Sequence, residues 1–256
     1  MNKFKSIYIL ILISIILGSC SKDNSNNPTL AGIFKGIEAA LGNGTAVPWV
    51  ELDDQGNPIS LGITLNQSAL SGLDTIPFEL NLMMPSQASH TNIIHIGLDW
   101  NPYGHEPDGV YNVPHFDFHF YMVDTNFRNN ITMIGDDTLK VYKAPEADYL
   151  APDYMLIPGG GVPRMGEHSV DFTSPELHGA QFTTTLIYGY YDGNMIFYEP
   201  MITSAFLASQ PNFTADMKVP AKYPKAGYYP TKYSIIYDSS KQEIKITLSG
   251  LKKFNG

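Results

Sequence analysis

Residues 100–122 read WNPYGHEPDGVYNVPHFDFHFYM. From Pro114 onward this stretch alternates strictly, which predicts an extended strand with His115, Asp117 and His119 on one face and Phe116, Phe118 and Phe120 on the other. A wall of phenylalanine must be buried in a core. The opposite face is then either solvated or a satisfied polar pocket, and three ionisable side chains in a row favour the pocket. Residues two apart on a strand are separated by roughly 6.6 Å and those four apart by about 13 Å. Neighbours in the triplet can therefore share one ion, whereas the two outer histidines meet at one ion only if the strand bends or bulges.

Outward from this strand the chain is punctuated as hairpins. Asn43-Gly44 and the run Asp54 to Pro58 predict turns, and Asp192-Gly193 between Thr183–Tyr191 and Asn194–Glu199 is the clearest hairpin signal. A further hairpin is predicted about Asp238-Ser239-Ser240, with Ile244, Ile246 and Leu248 inward. Pro77–Met84 and Ile93–Trp100 also read as strands, and Thr203 as the cap of a short helix through Ser209. Ala144–Met165, rich in Pro and Gly, reads as a long loop. No repeat and no long amphipathic helix interrupts the pattern. The fold expected is all-β, an antiparallel barrel or sandwich with a few short helices, formed by residues 31–256 as a single domain.

The start of the chain has a different chemistry. Lys3 and Lys5 precede an apolar run from Ile7 to Leu17 that ends in Leu17-Gly18-Ser19-Cys20. That is a signal peptide over residues 1–19, too short for a membrane span. Leu-Gly-Ser-Cys resembles the lipobox of bacterial lipoproteins, which implies cleavage before Cys20 and acylation of its thiol. Residues 20–30 then form a polar, flexible tether. Lys22-Asp23 resembles the charged signal that sends lipoproteins of the Bacteroidota to the cell surface. Localisation is thus expected at the cell envelope, lipid-anchored to the outer membrane and exposed at the surface. Cys20 is the only cysteine, so the mature chain has neither disulfide nor thiol nucleophile. Loss of Lys3 and Lys5 from 16 basic residues leaves 14 against 25 acidic ones, a net charge of about −11. Such a charge argues against nucleic acid or an anionic bilayer as partner, and leaves the lipid as the membrane contact.

Several residues could join the triplet. Glu199 lies on the Asp192-Gly193 hairpin, where a two-residue turn would set Leu186 opposite it and place it on a face with Met195, Phe197, Tyr188 and Tyr190. A carboxylate on so apolar a face needs a histidine, a metal or a cation, and Arg164 is one candidate. His168 follows the Gly-rich stretch and becomes of interest if it meets the triplet. His105-Glu106 precedes Pro107 and reads as a solvated turn, while His90, His95 and His178 are unremarkable. Nucleophile elbows, phosphate-binding loops and dinucleotide fingerprints are missing, which argues against a nucleotide cofactor.

Leu41–Thr45, Gly56-Asn57-Pro58, Leu61-Gly62-Ile63, Gly104–Pro107, Pro114–Tyr121 and Tyr198–Met201 together resemble an uncharacterised family of bacterial exported proteins, catalogued as a domain of unknown function. One member is a sigma-factor-regulated protein of a thermophile. The resemblance runs over residues 33–210, is most specific at the histidine strand, and implies a β-rich domain capable of self-association into a homo-oligomer. It supplies no activity, and the tail from Tyr228 departs from it. Two functions follow as expectations. One is a divalent-metal site built from His115, Asp117, His119, His168 and Glu199, suited to zinc, iron, manganese or copper, with an enzymatic role left open. The other is a non-catalytic glycan- or peptide-binding lipoprotein in which 16 tyrosines, 13 phenylalanines and two tryptophans supply a platform and the histidines form a structural network.

Overall fold

Alternating apolar residues and tight turns give strands throughout the computed structural model, which describes residues 30–256. The expected signal peptide of residues 1–19, Cys20 and the expected tether up to residue 29 lie outside the described residues. In chain order the strands are β1 (Gly32–Lys35), β2 (Ala39–Leu41), β3 (Gly44–Leu52), β4 (Pro58–Asn66), β5 (Phe78–Met83), β6 (His95–Asn101), β7 (His115–Tyr121) and β8 (Tyr154–Val162). There follow β9 (Gly166–Asp171), β10 (Thr184–Tyr191), β11 (Asn194–Thr203), β12 (Asn212–Asp216), β13 (Ala226–Tyr229), β14 (Lys232–Asp238), β15 (Glu243–Ser249) and β16 (Lys252–Asn255). Three short helices, α1 (Thr125–Asn129), α2 (Asp137–Val141) and α3 (Ser204–Ala208), sit between them.

One sheet has the order β1-β3-β4-β15-β14-β12, with β2 also on β3; the other runs β5-β6-β7-β11-β10-β9-β8. Strands β13 and β16 form a separate two-stranded ribbon. The inner faces share one core, in which Val50, Leu61, Ile63, Ile235 and Ile246 of the first sheet meet Leu98, Phe116, Phe118, Phe120, Tyr188 and Tyr198 of the second. The architecture is therefore a sandwich of antiparallel sheets, and neither sheet closes into a barrel among the described residues.

The Asp192-Gly193 hairpin forms as expected, both residues taking positive φ, 52° and 75°. Its register differs from a plain two-residue hairpin. A bulge between Gly189 and Tyr190 leaves Ile196 without a partner, so that Ile187 rather than Leu186 opposes Glu199. Met195, Tyr188 and Tyr190 consequently join the inner core, and Glu199 faces outward with Phe197, Ile187 and Met201. This overturns the expected neighbours of Glu199, apart from Phe197.

Other expectations shift more modestly. The first turn is Gly42-Asn43, not Asn43-Gly44, since Leu41 pairs with Gly44. Gly42 takes φ 53° there, and a Cβ on it would lie 2.3 Å from the Ser71 carbonyl oxygen. The long loop over 144–165 contains a strand, β8, in its second half, pairing with β9 except between Leu156 and Gly161, where Pro158-Gly159-Gly160 arches out. Pro and Gly are tolerated there because β8 is the edge of its sheet. Helix α3 forms where expected, with the Thr203 hydroxyl accepting from the Phe206 N–H.

Candidate metal centre

The outer face of the second sheet is not left to water. Strand β7 puts Phe116, Phe118 and Phe120 in the inner core, so His115, Asp117, His119 and Tyr121 must point outward, and the loop between β6 and β7, the arch of β8 and the α1–α2 segment cover them. His115 is fully buried, and Asp117, His119 and Glu199 are nearly so. Antiparallel pairing places Asp99 opposite Asp117, Met201 opposite Asp117 and Gly189 opposite His168, which brings β6, β7, β11, β10 and β9 onto one patch. Over it lies a cavity of about 830 Å³, lined at its polar end by Asp99, His105, Asp117, His119, His168 and Glu199. Its other walls combine the apolar Phe78, Trp100, Pro107, Ile157 and Met165 with Glu79, Asn101 and Glu106.

All five residues expected at the site meet on this patch, in two groups. In one, His105, His115 and Asp117 bring ligand atoms within 4.8 Å of one another; in the other, His119, His168 and Glu199 do the same. The division is the one that an unbent strand imposes, since His115 and His119 are too far apart to share an ion. Asp117 Oδ1 lies 3.2 Å from His115 Nε2, and Oδ2 lies 3.4 Å from His105 Nε2 and accepts from Asn101 Nδ2 at 2.7 Å. Glu199 Oε1 lies 3.4 Å from His119 Nε2, and Oε2 lies 3.6 Å from His168 Nε2.

The other nitrogen of each ring decides what these contacts mean. His115 Nδ1 donates to the Val113 carbonyl at 2.7 Å, His105 Nδ1 to the Glu106 carbonyl at 2.7 Å and His168 Nδ1 to the Gly160 carbonyl at 3.0 Å. A carbonyl only accepts, so these nitrogens carry the proton, and a neutral ring then turns the Nε2 lone pair toward a carboxylate oxygen. His119 Nδ1 likewise faces Asp99 Oδ2 at 3.3 Å. Lone pairs facing carboxylates repel unless a proton or a cation lies between them. His115 Nε2, Asp117 Oδ1, both nitrogens of His119 and Glu199 Oε2 are buried without an aligned hydrogen-bond partner.

Burial acts on the same groups. It drives Glu199 well above the usual carboxylate range, with the charges of Asp117 and Asp99 adding to the effect. It also pushes Asp99 up to about 8, again helped by Asp117, and pulls His119 down to about 3 and His168 below its ordinary value. Asp117 goes the other way: burial would raise it, but His105 and His115, to the extent that their rings carry a proton on Nε2, outweigh burial and hold it low, and Asp117 in turn raises His105 against its own burial.

One expectation fails here: Arg164 does not pair with Glu199; its Nη1 and Nη2 donate to Glu79 at 2.6 and 3.1 Å. His105 keeps a side chain 39% exposed on its loop, yet the loop folds back and sets its ring edge-on against His115 at 4.7 Å. The Gly104–Pro107 motif of the family resemblance was the signal that could have flagged it. His95, also passed over, is buried and stacked on Tyr121 at 4.8 Å. Arg128, fully buried and placed over the Tyr121 ring at 4.3 Å, was invisible to pattern reading because it sits on the five-residue helix α1. Most of the aromatic residues offered as a ligand platform are core or half-buried rather than displayed.

Comparison with known proteins adds one match. A family model described as TTHB210-like, hypothetical protein TTHB210, matches residues 53–100. This segment contains β4, β5 and Asp99 of β6 but none of the six residues of the two groups. No curated protein and no solved structure matches the chain.

Proposed function

We propose that this protein is a cell-envelope lipoprotein, anchored through lipid on Cys20, that binds divalent metal at His105, His115 and Asp117 and at His119, His168 and Glu199. The observation that carries the reading is the common orientation of the four imidazoles. Three hold Nδ1 on a backbone carbonyl, His119 turns Nδ1 toward Asp99, and all four aim Nε2 at a carboxylate, which is the arrangement of metal-binding histidines with their outer partners in place. A purely structural network would need a proton between each Nε2 and its carboxylate, either on a buried imidazolium, which burial disfavours at His119 and His168, or on a neutral carboxyl such as Glu199. Imidazole and carboxylate without thiolate suit zinc, manganese or iron, and copper is admitted by its affinity for imidazole.

Elemental analysis of the purified chain after incubation with each of these metals and removal of free ion tests the proposal. Stoichiometric metal is expected, reduced by His105→Ala or His168→Ala. A parent protein that retains no metal would leave the histidines as a hydrogen-bonded network and favour a non-catalytic ligand-binding role.

A further inference from the structure

We infer that the two groups together form a hydrolytic centre that uses water to cleave an uncharged carboxylic ester with an apolar acyl group; this rests on the metal reading above. Each group supplies three protein donors, the number typical of catalytic rather than structural zinc, and so leaves a coordination position open. Those positions face a cavity of a size that fits a small organic ligand. Asp117 and His119 are two residues apart on one strand face, so the two ions would be neighbours flanking one reaction space.

The cavity also limits the substrate. Its lining contains no lysine or arginine, the side chains that usually hold phosphate or sulfate, while Phe78, Trp100 and Ile157 offer an apolar wall. Water held at an open position would add its oxygen to the ester carbonyl carbon. The bond from that carbon to the alcohol oxygen would then break and the proton released by the water would pass to the departing alkoxide, so that ester and water give acid and alcohol.

The test uses the full chain in detergent, loaded with zinc or manganese, with metal content measured on the same samples. p-Nitrophenyl butyrate should be hydrolysed by the loaded chain, lose hydrolysis on chelation and regain it on metal return. His168→Ala should lower the metal bound per chain and lose the hydrolysis with it. A loaded chain no faster than its metal-free form overturns the hydrolytic inference and leaves metal binding standing. Activity on p-nitrophenyl phosphate but not on the butyrate overturns the substrate class, and His168→Ala at the parent rate despite its lower metal content removes the joint use of the two groups. A chain that holds no metal overturns this inference and the proposed function together.

Discussion

Replacing Glu79 with Gln should destabilise the protein by about 2–3 kcal/mol at pH 7, through a charge left unpaired beneath the site. Arg128 has a fully buried side chain, its Nη1 donates to Glu79 and to Asn81 at 3.0 Å, and Arg164 donates to the same carboxylate. Burial pushes the Glu79 carboxyl up, but the hydrogen bonds and charges of Arg164 and Arg128 outweigh it and hold the group at about 2 against an ordinary 4.5. At 1.36 kcal/mol for each pH unit this is worth roughly 3 kcal/mol. Arg164 is 40% exposed, so its share is screened and the figure is reduced. A second route agrees, since removing one partner of a buried ion pair costs about 3–5 kcal/mol and glutamine keeps one acceptor oxygen. The folded value lies below the unfolded one, so the contribution is complete above about pH 4.5 and is lost as pH falls toward 2. Urea unfolding of parent and variant at pH 7, 5 and 3 measures it. A difference below about 0.5 kcal/mol at pH 7, or one that does not shrink at pH 3, would refute the reasoning.

Two further outcomes test separate parts of the account. Gly189→Ala would put a Cβ about 2 Å from the ring of Phe197, which packs edge-on against His119 at 4.9 Å and His168 at 5.6 Å. The variant should lose about 1–3 kcal/mol on thermal unfolding and lose metal from the His119–His168–Glu199 group first, whereas unchanged stability would mean that Phe197 moves freely. Cys20→Ser should release the protein from the membrane fraction, and a variant that still sediments with membranes would remove the lipoprotein assignment.

How much could be read in advance depended on whether neighbouring residues or distant ones set the geometry. The alternation from His115 to Phe120 determined which side chains faced inward, because a two-residue period survives any packing. Asp192-Gly193 likewise announced its hairpin through local backbone preference. Glu199 was legible as a candidate residue, but its neighbours were not, since the bulge beside Gly189, where the Phe197 ring lies against the glycine, carries no turn signal. His105 and Arg128 escaped for a related reason. One lies in a loop and the other on a single helical turn, and neither has a periodic pattern to show which way it points. Strand β8 was hidden by Pro158 and three glycines, residues that an edge strand accepts when it bulges.

The most direct test of the metal centre is X-ray absorption at the zinc edge of the loaded chain, because it reports the atoms bound to the ion. The account predicts about two imidazole nitrogens and a carboxylate oxygen per zinc at roughly 2.0–2.2 Å. Loss of His168 should change that coordination at the His119–Glu199 group and leave the His105–His115–Asp117 group intact. A spectrum with oxygen scatterers only and no imidazole signature would place zinc on surface carboxylates and contradict the central claim.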